Sequence, residues 1–414
     1  MDKLCLITVP GWASDEFDIS KYRMFKDKRV SYATDYIPDE DTKFFIWLKH
    51  IGDPVKHPNN KIYNGTVLDM IPYDWIEPIN SGKITVVIDT AEESWGPVYH
   101  DAISHVDSCD VHKLAEKNAL AVGINPERVI WLTGDMNAEE YCKGKSTVTV
   151  KSVFQFLWSF TNMLNILDYT NVEYPVDGFL ICPNRFPKAH RGYTLSKLVD
   201  IERDDAPMRI SFPESMNFIP ASTIVDSYYK LVARRDQWPG QFDVEQRIDW
   251  KELEQKMKSI YKTLPRKIDD VDFNTNDCAE PDAIYSIKDY YHKSAFCLVT
   301  ETWAEGRKLF LSDAILAPIL FKTPFLVVGC HKTMQFLKSK GFLTFESVID
   351  ESYDWVFDDV KRWDLVLDQV DILSRKDWKK LSEATVGITN YNFQKLFSLA
   401  SREEQDMVNW LLRF

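Results

Sequence analysis

Short, continuous apolar runs separated by amphipathic stretches dominate the first part of the chain. Leu4–Val9 (LCLITV), Phe44–Leu48 (FFIWL), Ile84–Ile88 (ITVVI) and Val129–Leu132 (VIWL) have the unbroken apolar character of strands buried on both faces. The stretch 110–122 places Val111, Leu114, Ala115 and Val122 at helical spacing, and VIWL runs into the turn Thr133-Gly134-Asp135. Strands alternating with helices predict βαβ units and a parallel sheet. The run Val153–Leu167 is broken by Gln155, Ser159, Thr161, Asn162 and Asn165. It predicts an amphipathic helix capped by Ser152, with Phe154, Leu157, Trp158 and Leu164 facing a core. The polar, turn-rich segment 168–178 is then a connector.

The same alternation starts again at Phe179. Predicted strands cover Phe179–Cys182, Met208–Phe212, Ala295–Thr300 and Phe325–Val328. Predicted helices cover His190–Val199, Asp249–Leu264, Asp313–Leu320 and Lys332–Lys340, the last closed by Gly341 as a C′ glycine. From about 360 the pattern is almost wholly helical. The expected architecture is α/β, with two Rossmann-like domains facing each other across a cleft. The N-terminal domain spans 1–170, the second 171–365, and C-terminal helices over 366–414 pack back on the first.

Composition narrows the classes. Of 414 residues 45% are apolar, enough for a large core and too many for a disordered chain. No period of 20 to 50 residues appears, so a solenoid is excluded. Fifty basic residues against 63 acidic ones give a formal charge of −13, which argues against a polycation coating nucleic acid or anionic lipid. Any phosphate must therefore be met by local basic groups. Seven cysteines without a CxxC pair or nearby histidine spacing predict free, buried thiols in a reducing, cytoplasmic setting, and no zinc site. No run reaches the roughly 20 apolar residues of a spanning helix, so no membrane partner is expected.

Walker A, GxGxxG, GxSxG and HExxH patterns are all missing. The residues with chemical potential lie just after predicted strands. Asn184, Arg185, His190 and Arg191 follow strand 179–182, where two guanidinium groups and a helix start offer donors to a phosphate, or where the same arginines pair with surface acids. Thr300-Glu301-Thr302, Arg307, Ser312 and Asp313 follow strand 295–300. There Glu301 is placed to hold ribose hydroxyls, and Arg307 with the helix start at Ser312 to share a diphosphate; Ser312 equally serves as a plain N-cap. The acids and aromatics of 332–354 have the character of packing and solvated surface. In the first domain Asp89, Glu92 and Glu93 lie at or just beyond the end of strand 84–88, Asp135 is a similar acid after VIWLT, and His100 and Asp101 are further candidates. A carboxylate there could take a proton from an acceptor hydroxyl, and Asp89, Glu92 and Glu93 are the candidate bases.

Two segments carry a resemblance. LICPNRFPKAHRGYTLSKL (180–198) resembles the "NR…HR…L" element that opens the nucleotide-binding half of phage and viral glycosyltransferase-like proteins. FCLVTET, FLSDAILAPILFKTPFLVVG and LKSKGFLTFESVIDESYD, in that order, are similar to their "VTET…TEKTxKPI…PF…G…LK..GFKTF…DESYD" element, which is shared with fucosyltransferase-like GT-B enzymes. The resemblance covers roughly 179–365, with a shorter match at RVIWLTGDMN (128–137). It implies a GT-B fold binding a nucleoside diphosphate sugar as co-substrate, with no further cofactor and no bound metal. It also implies a hexosyl- or pentosyltransferase activity on a hydroxyl acceptor. If the source is viral, a hydroxymethylated pyrimidine in DNA would suit as acceptor, within the host cytoplasm; a glycan or protein acceptor is the alternative. Residue by residue, Arg185 and Arg191 match the family's basic positions near the diphosphate, Glu301 the acid of VTET, and Ser312 and Asp313 its Thr and Glu. Ala314 stands where the family has Lys. That departure leaves charge to be neutralised by Arg307 or Lys308, or else marks a non-catalytic nucleotide- or protein-binding module.

Overall fold

The computed structural model describes residues 3–7, 27–49, 67–90, 98–99, 109–154, 157, 175–184, 188–216, 219–220, 250–264, 266–268, 286–304 and 308–414. The chain divides into two compact α/β units. One comprises Met1–Asp101, His105–Thr161 and Leu399–Phe414, the other Ala102–Ser104 and Asn162–Ser398.

The first unit is built on a six-stranded parallel sheet. Its strands are β1 (Lys3–Ile7), β2 (Val30–Ala33), β3 (Thr42–Lys49), β4 (Ile84–Thr90), β5 (Val129–Thr133) and β6 (Thr149–Ser152), in the order β2-β1-β3-β4-β5-β6. This is the 2-1-3-4-5 order of doubly wound sheets with one strand added at the far edge. Alternate residues Ile7, Ile46, Leu48, Val86, Ile88 and Trp131 enter one hydrophobic core with Ala115 and Ala119 of α1 (Val111–Ala121). The residues between them, Leu6, Phe45, Val87 and Leu132, are buried on the opposite face, which explains the continuous apolar runs.

Two of these strands depart from the sequence expectation. Thr149–Ser152 pairs parallel with β5, Ile130 opposite Thr149 and Thr133 opposite Ser152. Ser152 thus ends a strand instead of capping a helix, and its hydroxyl donates to the Asp135 carbonyl (2.7 Å). The predicted helix 152–167 otherwise lies outside the described residues except 153, 154 and 157. β2 is likewise an edge strand, half-buried, with none of the apolar run that marks the central strands.

The second unit holds a four-stranded parallel sheet. Its strands are β7 (Gly178–Cys182), β8 (Met208–Ile210), β9 (Ser294–Thr300) and β10 (Phe325–Val328), in the order β8-β7-β9-β10. β7, β9 and β10 are buried along their whole length. The strand order reverses between β7 and β9, so the carboxyl ends of those two neighbours open a crevice of the kind in which α/β sheets hold ligands. The helices that follow are α2 (Ala189–Ile201) after β7, α3 (Trp250–Tyr261) against α2, α4 (Asp313–Leu320) after β9, and α5 (Thr333–Ser339) after β10. Gly341, at φ 87°, ends α5 in the left-handed conformation that favours glycine.

The C-terminal helices divide between the units. α6 (Asp359–Ser374) buries Val360, Trp363, Val366, Leu367 and Val370 and packs on α2 and β10, and α7 (Trp378–Glu383) packs on β9. Within the 28-residue α8 (Val386–Arg413), only the part from Leu399 onward groups with the first unit. α6 and α7 belong to the second unit, where α6 lays its apolar stripe against α2 and β10.

Candidate functional site

Asn184, two residues past β7, fastens three strand ends together. Its N–H donates to Ser211 Oγ (2.9 Å), its side-chain amide donates to the carbonyls of Ser211 (3.1 Å) and Cys182 (3.3 Å), and its Oδ1 accepts from Thr300 Oγ1 (2.6 Å). Ser211 follows β8 and Thr300 ends β9, so one buried amide side chain sets the spacing of both neighbours across the switch point.

The start of α2 continues the pattern. Lys188 occupies the N-cap position with extended backbone. Three consecutive carbonyls of the β9 exit are then taken by three side chains: Arg191 Nη2 donates to Thr300 O (3.0 Å), His190 Nε2 lies 2.8 Å from Glu301 O, and Lys188 Nζ donates to Thr302 O (2.8 Å). A carbonyl can only accept, so His190 carries its proton on Nε2. Both His190 and Arg191 are buried. Burial pulls the Arg191 pKa below its ordinary value, an effect opposed by the nearby Glu301 and Asp313 carboxylates.

Glu301 is 0% exposed and faces inward. Its carboxylate accepts from Ser312 Oγ (2.6 Å), Ser312 N–H (3.0 Å) and Thr302 N–H (3.1 Å). Ser312 in turn accepts from the Ala314 N–H (3.2 Å) as the N-cap of α4. Burial pushes the Glu301 pKa up to about 7, with the Ser312 and Thr302 donors working in the other direction. The acid thus clamps the β9 exit to the cap of α4, and Asp313 begins that helix half-buried beside it.

A further organiser is Arg362 on α6, 1% exposed. Its Nε donates to Gly329 O (3.0 Å), Nη1 to Val356 O (2.8 Å) and Phe357 O (3.2 Å), and Nη2 to Ala304 O (2.9 Å) and Asp359 Oδ1 (2.5 Å). One guanidinium therefore holds together the segments after β9, after β10 and before α6. Nothing in the helical pattern of 359–374 distinguishes this arginine from a solvated one. In the 332–354 segment the acids serve as caps: Asp354 accepts from the N–H groups of Met334 (2.9 Å) and Gln335 (2.9 Å), and Glu351 from that of Phe345 (2.7 Å).

Of the sequence-predicted donor residues, His190, Arg191, Glu301, Ser312 and Asp313 thus converge at the β7/β9 switch point. Arg185 and Arg307 lie outside the described residues, as do Glu92, Glu93, His100 and Asp101. Asp89 is 2% exposed, and Trp47 Nε1 donates to its Oδ2 (2.9 Å). Asp135 is also buried and accepts from the Asn137 N–H (3.0 Å). Elsewhere Arg29 pairs with Asp27 (2.6 Å), Arg375 with Asp371 (2.8 Å) and Lys380 with Asp377 (3.1 Å).

Five described cysteines, Cys5, Cys142, Cys182, Cys297 and Cys330, are free and buried. Among the described residues no group of three His, Cys, Asp or Glu side chains comes together as a metal site requires, and no helix is long and apolar enough to cross a membrane. No protein-family model matches the chain, and no curated protein matches it.

Proposed function

We propose that this chain is a glycosyltransferase of GT-B architecture, moving a sugar from a nucleoside diphosphate sugar to a hydroxyl acceptor. The observation that carries the reading is the switch point of the second sheet. The segments bearing the sequence resemblance meet there, at the carboxyl ends of β7 and β9, and they bring basic side chains with them. In this reading the second unit binds the donor. Arg191, with Arg185 and Arg307 from the same sequence segments, stabilises the charge that develops on the leaving diphosphate.

Asp89, Glu92 and Glu93 are the candidate bases. Because the Asp89 carboxylate is tied to Trp47, the proton-accepting role falls to Glu92 or Glu93, immediately beyond β4, with Asp89 shaping the strand end. The acceptor that suits a viral source is a hydroxymethylated pyrimidine in DNA. Association with DNA would weaken steeply with added salt, whereas transfer to a small glycan would barely respond.

A second reading, a non-catalytic nucleotide-binding module, is favoured by one observation: Glu301 spends its carboxylate on Ser312 and Thr302, and Ala314 offers no ammonium. Donor hydrolysis or sugar transfer decides between the two. The first reading expects turnover with at least one common nucleotide sugar, strongly reduced in Arg191→Lys with the fold retained by circular dichroism, and unchanged in the exposed control Lys143→Ala. Absence of turnover with every common donor and several acceptor classes would leave the module.

A further inference from the structure

The chain between α5 and α6 carries two large aromatic side chains on the surface of the second unit: Trp355 is 57% exposed and Phe357 52%. Each is met by one of two consecutive residues that lead into α5. The His331 ring stands edge-on to Phe357, with centroids 5.6 Å apart and planes at 77°, and the Lys332 ammonium lies 5.5 Å from the Trp355 centroid. Two segments thus build one cluster. Lys332 takes φ 67°, a left-handed conformation uncommon for a residue with a side chain, and its N–H donates to the Asp354 carbonyl (3.0 Å). Burial, with the charges of Arg362 and Lys332, lowers the His331 pKa, so at neutral pH the imidazole is uncharged and Lys332 supplies the positive charge. Lys332 is exposed, and among the described residues its ammonium enters no salt bridge. Nearby acids are engaged as caps: Asp354 accepts from the N–H groups of Met334 and Gln335, and Asp358 from that of Lys361 (2.8 Å).

Exposed aromatic faces attract another flat π-system, and the ammonium beside them attracts an anion. Single-stranded DNA offers both in every residue, a base and a phosphodiester. A neutral oligosaccharide would leave the ammonium without a counter-charge. With more than half of each ring in solvent the cluster is open surface, whereas a free mononucleotide needs a cleft that encloses most of it. A strand gathers its affinity from successive shallow contacts instead. We infer that Trp355 and Phe357, with Lys332, form a stacking platform for unpaired bases of single-stranded DNA. The inference deepens the DNA-acceptor reading by naming where an unpaired base is held, and it rests on that reading for the choice of DNA as the strand; strand binding itself requires no sugar transfer.

Fluorescence anisotropy of a labelled oligothymidylate, titrated at several salt concentrations, tests it. Wild-type protein is expected to bind the strand, and Trp355→Ala and Phe357→Ala each to weaken binding about tenfold, equivalent to about 1.4 kcal/mol, with the salt dependence unchanged. Lys332→Gln should instead flatten the slope of log affinity against log salt by about 0.7, the share of one phosphate contact on a single strand. Trp355→Phe keeps a ring and should retain more affinity than Trp355→Ala. Arg362 grips the backbone carbonyls of Val356 and Phe357, so truncating the rings leaves the fold in place, which circular dichroism checks. Failure of the wild type to bind the strand, undiminished binding by both aromatic variants, or displacement of the strand by a neutral oligosaccharide overturns the platform. Sugar transfer measured in parallel separates the two ideas. Ring-dependent strand binding without transfer upholds the platform against the transferase reading, and transfer to DNA that both aromatic variants retain in full does the reverse.

Discussion

Glu301 ties the stability of the second unit to pH in a direction opposite to that of most surface acids. Its pKa, about 7 in the folded protein against 4.5 for an ordinary glutamate, means that the folded state holds the proton more tightly than the unfolded chain does. The contribution is therefore fully present below pH 4.5 and is lost as pH rises, levelling off above about 7. A shift of that size, at 1.36 kcal/mol per unit, amounts to about 3 kcal/mol, of which roughly 2–3 kcal/mol falls between pH 5 and 8. Glu301→Gln removes the titration while keeping the size of the side chain and one acceptor oxygen for Ser312. Urea unfolding followed by tryptophan fluorescence at pH 5, 6, 7 and 8 reads the difference between the two proteins, which cancels the other titrating groups. The gap should move in favour of the variant by about 2–3 kcal/mol from pH 5 to 8. A gap that stays constant, or moves the other way, would refute the assignment of Glu301 as a buried acid whose ionisation opposes folding.

Two other substitutions follow from the same wiring. Arg362→Lys keeps the charge but cannot reach all the carbonyls the guanidinium holds, and should cost about 3–5 kcal/mol in the unfolding of the second unit, measured by chemical denaturation; a loss under about 1 kcal/mol would contradict the role described. Trp47→Phe removes the indole donor from the buried Asp89, and a double-mutant cycle with Asp89→Ala should return a coupling of about 1–3 kcal/mol, whereas a value near zero would show that the bond contributes nothing.

The central strands were legible in the amino-acid pattern because burial on both faces leaves a continuous apolar run, as in ITVVI, VIWL and AFCLVT. The half-buried edge strands β2 and β6 carry no such mark. Thr149–Ser152 (TVKS) has a lysine and two hydroxyl residues, half-buried throughout, and a serine ahead of an apolar stretch has the appearance of a helix cap. Pairing with β5, a tertiary event, decided otherwise. At the site, position after a strand was enough to single out His190, Arg191, Glu301 and Ser312. Which atoms these side chains would engage was not, since Glu301 and Ser312 are eleven residues apart and the Arg191 acceptor lies more than a hundred residues away. Arg362 left no trace in the sequence at all, because its identity as a buried organiser depends on three separate segments arriving at one point.

The partners of Arg362 are chiefly backbone oxygens, those of Gly329, Ala304, Val356 and Phe357. A guanidinium that grips main chain is indifferent to the side chains displayed on the far side of it. Trp355 and Phe357, both more than half exposed, are therefore open to variation without loosening the frame beneath them. This makes the segment that follows β10 a natural place for diversified libraries: new recognition surfaces can be installed at 355 and 357 while the underlying anchor stays constant.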